Sequence, residues 1–268
     1  MTPAAFQKMI LAHFRAHARA FPWRETRDPY RILVSEIMLQ QTGVERVRGY
    51  YARFLERFPT VEALARAPLN EVLRLWQGLG YNRRAKYLRE AAIAMKAGGF
   101  PRDAAGLCAL PGIGPYTASA IAAFAYGTPE VLIETNIRAA YLHHFFPRAK
   151  AVPDKKILPL IEKTLYKKDP RTWYYALMDY GAHLKSREIN PSRRSAHHKK
   201  QAAFKGSNRE LRGALLRHLA SRKSLSREVL FKKAAPLGRS GEEIDRALAA
   251  LAKEGFVRIS GRSVALAA

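Results

Sequence analysis

Cysteine is almost absent from this chain, Cys108 being the sole one in 268 residues. A single thiol excludes an internal disulfide framework and any four-thiolate metal site assembled within the chain. Acidic residues are scarce as well, 22 against 47 Lys and Arg, which leaves a formal charge of +25 and a sequence pI near 10.5. An excess of that size points to a polyanionic partner, because clustered cations displace the counterions condensed along phosphates. Nucleic acid leads, although a membrane surface or a ribosome presents charge of the same sign. Apolar runs near the ~20 residues needed to span a bilayer are missing, so no membrane partner is expected. Met1–Ala20 reads as an amphipathic helix and not as a leader. The expected location is the cytoplasm, in association with the nucleic acid that leads these candidates. Stretches that alternate apolar and polar residues are few, the best lying near the C-terminus, which argues against a β-rich fold.

What the chain has is helix. Through residue 185 apolar side chains recur at helical spacing, and 48% of all residues are hydrophobic, enough for a well-buried core. Asp28-Pro29 marks a helix start, the carboxylate capping free amides and the proline entering the first turn. The helix it opens carries Ile32, Leu33, Glu36 and Leu39. Further starts stand at Thr60, at Pro68-Leu69-Asn70 and at Asp154. Between Ser186 and Ser207 the periodicity collapses into Asn190-Pro191-Ser192-Arg193-Arg194-Ser195 and His197-His198-Lys199-Lys200. That composition predicts a solvated basic linker whose Arg193, Arg194, Lys199 and Lys200 touch phosphate. From Asn208 on, short helices over Glu210–Ala220, Ser226–Ala235 and Gly241–Glu254 precede a hairpin of Phe256–Ile259 and Arg262–Leu266. This is the order of a winged-helix-like module. Such a module lays its last helix, here with Arg246 and Lys253, in a DNA groove, or serves as a protein contact.

The segment Leu110-Pro111-Gly112-Ile113-Gly114-Pro115-Tyr116-Thr117 runs into a small-residue helix, Ala118–Ala125. Its glycines let the backbone turn tightly and approach a ligand, and the helix behind it offers free amides and a positive dipole end. Gly112, Ile113 and Gly114 are therefore read as gripping a DNA phosphate regardless of sequence. Taken alone, the turn would equally well join two helices. Glu36 lies in Val34-Ser35-Glu36-Ile37-Met38-Leu39-Gln40-Gln41-Thr42, and Glu134 in Ile133-Glu134-Thr135-Asn136-Ile137. A carboxyl flanked by Leu33, Ile37 and Leu39 is desolvated, and its pKa rises toward the range where it donates a proton at neutral pH.

With Phe21-Pro22-Trp23-Arg24, Gly78-Leu79-Gly80-Tyr81 and Met178-Asp179-Tyr180-Gly181-Ala182 in the same order, the chain resembles the adenine DNA glycosylases that act on A/G mispairs. These belong to the helix-hairpin-helix superfamily that contains endonuclease III. The resemblance covers about residues 5 to 185. It implies an all-α, two-lobed helix-hairpin-helix body over 1–185, with a six-helix lobe at about 27–130 and a second lobe from 1–26 and 131–185. The basic linker at 186–207 and the winged-helix-like module at 208–268 complete the expected division. By the same resemblance Glu36 protonates the adenine ring, and Glu134 stands where the family has aspartate and stabilises positive charge on the sugar. Asn136 supports the site. Gln40, Gln41 and Thr42 enter the duplex beside a flipped base, since a stacked base hides its glycosidic bond. Asn82 and Arg83 continue the DNA-facing surface.

The departures from the family are as informative as the matches. Glu134 is one methylene longer than the family aspartate, and Thr135 replaces the glycine that follows. Tyr116 occupies the position where relatives of the endonuclease III type carry lysine; it cannot form a Schiff base, so a monofunctional enzyme without strand-cleaving activity is expected. Tyr116 either walls the base pocket or packs in the core. Relatives place four cysteines after the segment matching Gly181-Ala182; here Lys185 stands at the first such place, and no iron–sulfur cluster is expected. His183, His197 and His198 suggest a metal less strongly than a solvated basic surface, so neither metal nor other cofactor is expected. Asn82 replaces a tyrosine that wedges beside oxidised guanine, and the nucleotide-hydrolase-like C-terminal domain of the relatives is not expected here. The expectation is a monomeric base-excision glycosylase acting on double-stranded DNA that contains a mispaired or damaged base, with adenine opposite guanine or 8-oxoguanine as its first target. The alternatives are thymine or uracil opposite guanine, or a DNA-binding relative without catalysis.

Overall fold

The computed structural model describes residues 1–187, 190–198, 203–222 and 224–267. Its helices are α1 (Pro3–His17), α2 (Pro29–Leu39), α3 (Val44–Arg57), α4 (Val61–Arg66), α5 (Leu69–Trp76), α6 (Arg83–Gly98) and α7 (Ala104–Cys108). They continue as α8 (Pro115–Ile121), α9 (Thr135–Phe145), α10 (Asp154–Thr164), α11 (Pro170–Arg187), α12 (Asn208–Ala220), α13 (Arg227–Ala234) and α14 (Gly241–Lys253). Strands β1 (Leu225–Ser226), β2 (Val257–Ser260) and β3 (Ser263–Leu266) form an antiparallel sheet in the order β1-β3-β2. The fold is thus mainly helical, and β1 is an addition to the expected hairpin. Two residues are too short a run to show alternation. No helix among the described residues is long and apolar enough to cross a membrane.

Local chemistry sets the helix starts. Asp28 Oδ1 accepts the Tyr30 amide at 2.8 Å, Thr60 Oγ1 accepts the Ala63 amide at 3.2 Å, and Ser240 with Glu243 completes a capping box before α14. Asp154 differs: it is the first residue of α10, and its carboxylate is taken by Arg138 at 2.7 Å.

Two compact units emerge, with boundaries other than those the sequence suggested. The first comprises Met1–Glu36, Pro101–Ala109 and Ile113–Lys200; the second comprises Ile37–Phe100, Leu110–Gly112 and Gln201–Ala268. The small buried residues after α8 belong to the first unit because aromatic and cationic anchors fix them there. Phe124 stacks on Tyr175 with ring centroids 4.5 Å apart, and Arg171, itself buried, donates to the Phe124 carbonyl. Phe6 of α1 anchors the same unit's core against Tyr141 at 5.1 Å and Trp173 at 6.0 Å.

The 190–198 stretch, expected as part of a solvated basic linker, is packed in part against the first unit. Pro191, Ser192 and Ser195 are buried, and Val152 exchanges backbone hydrogen bonds with Arg194 and Ala196 at 2.8 and 2.9 Å. Its short polar side chains satisfy the local backbone, as when Asn190 Oδ1 accepts the Ser192 amide at 3.0 Å, so it packs without apolar periodicity. In the second unit α12 lies against α5, where Arg74 Nε donates to the Ala220 carbonyl at 2.6 Å. Glu254, just past α14, receives Arg83 at 2.8 Å and Arg212 at 2.6 Å.

Candidate active site

Glu36 is 8% exposed on α2, and its carboxyl is pushed up to about 7. Burial is the main cause, followed by the negative charge of Glu134; a hydrogen bond from Tyr116 and the charge of Arg24 pull the other way. Tyr116, in the first turn of α8, is held well above the usual phenol range by burial and by both carboxylates, so its hydroxyl stays protonated and donates to Glu36. The two roles the sequence left open, pocket wall and core packing, both allow this buried hydrogen bond to Glu36.

Glu134 is the N-cap of α9. Its Oε1 accepts the amides of Asn136 at 2.7 Å and Ile137 at 2.8 Å, and its Oε2 accepts Asn136 Nδ2 at 3.3 Å. The extra methylene is absorbed by the side chain folding back over its own helix terminus. Burial raises this carboxyl, while the two amides, Lys185 and Arg138 oppose the rise. Anion-stabilising donors thus gather on Glu134, and the helix dipole adds to them. Burial thus raises both carboxyls, and on Glu134 the capping amides and the nearby cations favour the charged form against that rise.

The motifs at either end of the body build the support. Asp179 is buried and accepts Arg24 through two hydrogen bonds of 2.8 Å and Arg19 at 2.6 Å, while Arg24 lies 4.5 Å from the Tyr175 ring centroid. Gly181 is required by close approach. A Cβ there would stand 1.9 Å from the Asn136 carbonyl oxygen, so only glycine lets α11 touch α9 at that residue.

In the second unit, Gln40, Gln41, Tyr81, Asn82 and Gly112 line a cavity of about 700 Å³ together with Arg209 from α12. Gln41 and Tyr81 have left-handed backbone, φ 54° and 48°. Arg84, which sequence reasoning missed, holds both loops: its guanidinium donates to the carbonyls of Ile37, Met38, Gln40, Leu79 and Gly80 at 2.6–3.0 Å, and to Thr42 Oγ1 at 3.1 Å. A cation buried by backbone carbonyls has no sequence signature beyond its type. Thr42 therefore spends its hydroxyl inside the loop. Arg83, read as a DNA contact, is engaged by Glu254, although its side chain remains 61% exposed.

Ile113 is buried while Gly112 and Gly114 are exposed, so the hairpin offers backbone and uses Ile113 as its anchor. Arg194 donates to the Pro147 carbonyl at 2.6 Å, whereas Arg193 is exposed. Lys199 and Lys200 lie outside the described residues. Among the described residues no group of three His, Cys, Asp or Glu is placed to hold a metal ion.

Helices built around a glycine hairpin, with a buried acid set against a capped anion, define a helix-hairpin-helix protein. The chain belongs to the HhH-GPD superfamily of base excision DNA repair proteins, whose family model matches residues 34–197. Similar proteins include the adenine DNA glycosylase of Buchnera aphidicola subsp. Baizongia pistaciae, 35% identical over 190 residues that make up 68% of this chain and 53% of that one. Another is the adenine DNA glycosylase of Mycolicibacterium smegmatis, 39% identical over 65% of this chain and 61% of its own length. The chain thus spans little more than half the length of these curated relatives. Among solved structures, a thermostable thymine-DNA glycosylase aligns with TM-score 0.60 and 28% identity over 67% of this chain and 86% of that one. A trapped endonuclease III–DNA covalent intermediate shares the fold, with TM-score 0.53 and 20% identity over 77% of this chain and 92% of that one.

Proposed function

We propose that the protein is a monofunctional DNA glycosylase that hydrolyses the N-glycosidic bond of a flipped, mispaired base in duplex DNA, with adenine opposite guanine or 8-oxoguanine as its first substrate. The observation that carries this reading is the Glu36–Glu134 pair: burial and the charge of Glu134 push the Glu36 carboxyl up to about 7, while the amides that open α9 meet the Glu134 carboxyl and oppose its rise. Glu36 delivers its proton to a ring nitrogen of the departing base, and the bond to the sugar breaks as positive charge grows there beside Glu134. Water adds its oxygen to the sugar carbon, and its proton returns to the Glu36 carboxylate, which restores the starting state. Thymine or uracil opposite guanine is the second reading, favoured by the likeness to a thymine-DNA glycosylase and by Asn82 in place of the wedge tyrosine.

Single-turnover excision across duplexes that pair A, T, U or hypoxanthine with G, 8-oxoguanine, C or T tests both readings. Release of no base from any of them would leave only the DNA-binding alternative. The monofunctional reading rests on Tyr116, which supplies no amine for a covalent intermediate. Borohydride added during turnover is expected to trap no enzyme–DNA species, and strand breaks are expected only after alkali. Efficient trapping would overturn this.

Basic residues exposed on the C-terminal helices, Arg217, Arg246 and Lys253, support a DNA-binding role for that region. Neutralising all three is expected to flatten the dependence of log K on log salt by roughly one for each phosphate that is no longer neutralised. An unchanged slope assigns the region to a protein contact.

A further inference from the structure

The residues present do not fit the iron–sulfur cluster of the resembling relatives: the one cysteine, Cys108, is exposed on α7, and Lys185 stands at the first cluster position. The structure gives Lys185 another occupation. Its Nζ donates to Asn136 Oδ1 at 3.0 Å, and Asn136 Nδ2 in turn donates to Glu134 Oε2 at 3.3 Å. We infer that Lys185 is a positioning residue which, through Asn136, orients and sustains Glu134 as the anion of the acid pair, so that a side chain at a cluster-ligand position serves the catalytic site directly. This inference rests on the glycosylase reading above.

An ammonium only donates, so it fixes the ambivalent Asn136 amide with its oxygen toward Lys185 and its N–H toward Glu134. Without that constraint the amide is free to turn and set its oxygen against a carboxylate oxygen. The placement is built into the packing: Gly181 brings α11 onto the Asn136 backbone, and one helical turn later on the same face stands Lys185.

The groups facing Glu134 are Glu36 on α2, Tyr116 on α8, Arg138 with the Asn136 and Ile137 amides on α9, and Lys185 on α11. Arg138 is shared with Asp154 at 2.7 Å, which compensates its charge. Among the described residues no carboxylate forms such an ion pair with Lys185.

The test uses the full chain with Lys185→Met, Lys185→Gln and Lys185→Arg. The Glu134 carboxyl is followed by ¹³C NMR titration, assigned by its loss in Glu134→Gln, and single-turnover excision is measured against pH. Glu134 works ionised, so losing the adjacent cation raises the pH at which it gains a proton. Both its titration and the acidic limb of the excision profile are expected to move up by about one pH unit in Met and Gln, and to return in Arg. A limb and a titration that stay in place, with excision lowered equally at every pH or not at all, would overturn the proposal; Gln serves if Met does not fold. If the wild type excises no base, the glycosylase reading fails, while the carboxyl titration still decides what Lys185 does to Glu134.

Discussion

Glu36→Gln is expected to abolish base release, by a thousandfold or more on the order of general-acid effects, while affinity for duplex DNA stays nearly unchanged. Glutamine keeps the volume at a position only 8% exposed, and its carbonyl oxygen still accepts the Tyr116 hydroxyl, so packing is conserved and only the transferable proton is lost. Wild-type excision carries its own signature. With the Glu36 carboxyl pushed up to about 7 and acting protonated, the rate is expected to hold from that pH down to the acidic limb set by Glu134, and to fall tenfold per unit above it. The residual rate of the Gln variant has no such limb. Single-turnover excision under saturating enzyme measures the first effect, and equilibrium binding the second. A variant that retains the wild-type rate would remove Glu36 from the chemistry.

How far the sequence led depends on the kind of interaction. Helix starts at Asp28 and Thr60 were legible because a capping oxygen acts within three residues of its own position. The acid at Glu36 was legible because its apolar neighbours foretell burial, the largest cause of its shift. Contacts between distant segments were not. Nothing in Lys185 or Asn136 alone announces their 3.0 Å hydrogen bond across 49 positions, and Arg84 differs in type from no other arginine in a chain with 47 cations. Composition misled at 190–198, where polarity suggests solvent but the buried serines satisfy backbone groups. Nor does composition announce that Arg194 donates to the Pro147 carbonyl.

Glu134→Gln is expected to slow excision by about 100-fold, the scale of removing one preorganised electrostatic group. The position has two duties, and this substitution separates them. As N-cap, Glu134 needs only an oxygen to accept the amides of Asn136 and Ile137, which a Gln carbonyl supplies, so the thermal midpoint is expected to change little. As the anion beside the sugar it needs charge, which Gln lacks. A second effect follows from coupling: the charge of Glu134 is the next cause after burial of the raised Glu36 carboxyl, so its loss lowers that pKa and moves the alkaline limb of the rate profile to lower pH. Glu134→Asp keeps the charge and caps well, but reaches less far, so part of the rate and the wild-type limb are expected to survive. Excision profiles for wild type, Gln and Asp, each with a melting curve, distinguish the duties. If Gln matches wild type in rate and limb while Glu36→Gln is dead, Glu134 is a helix cap alone, and the anion that faces the sugar must be sought elsewhere in the first unit.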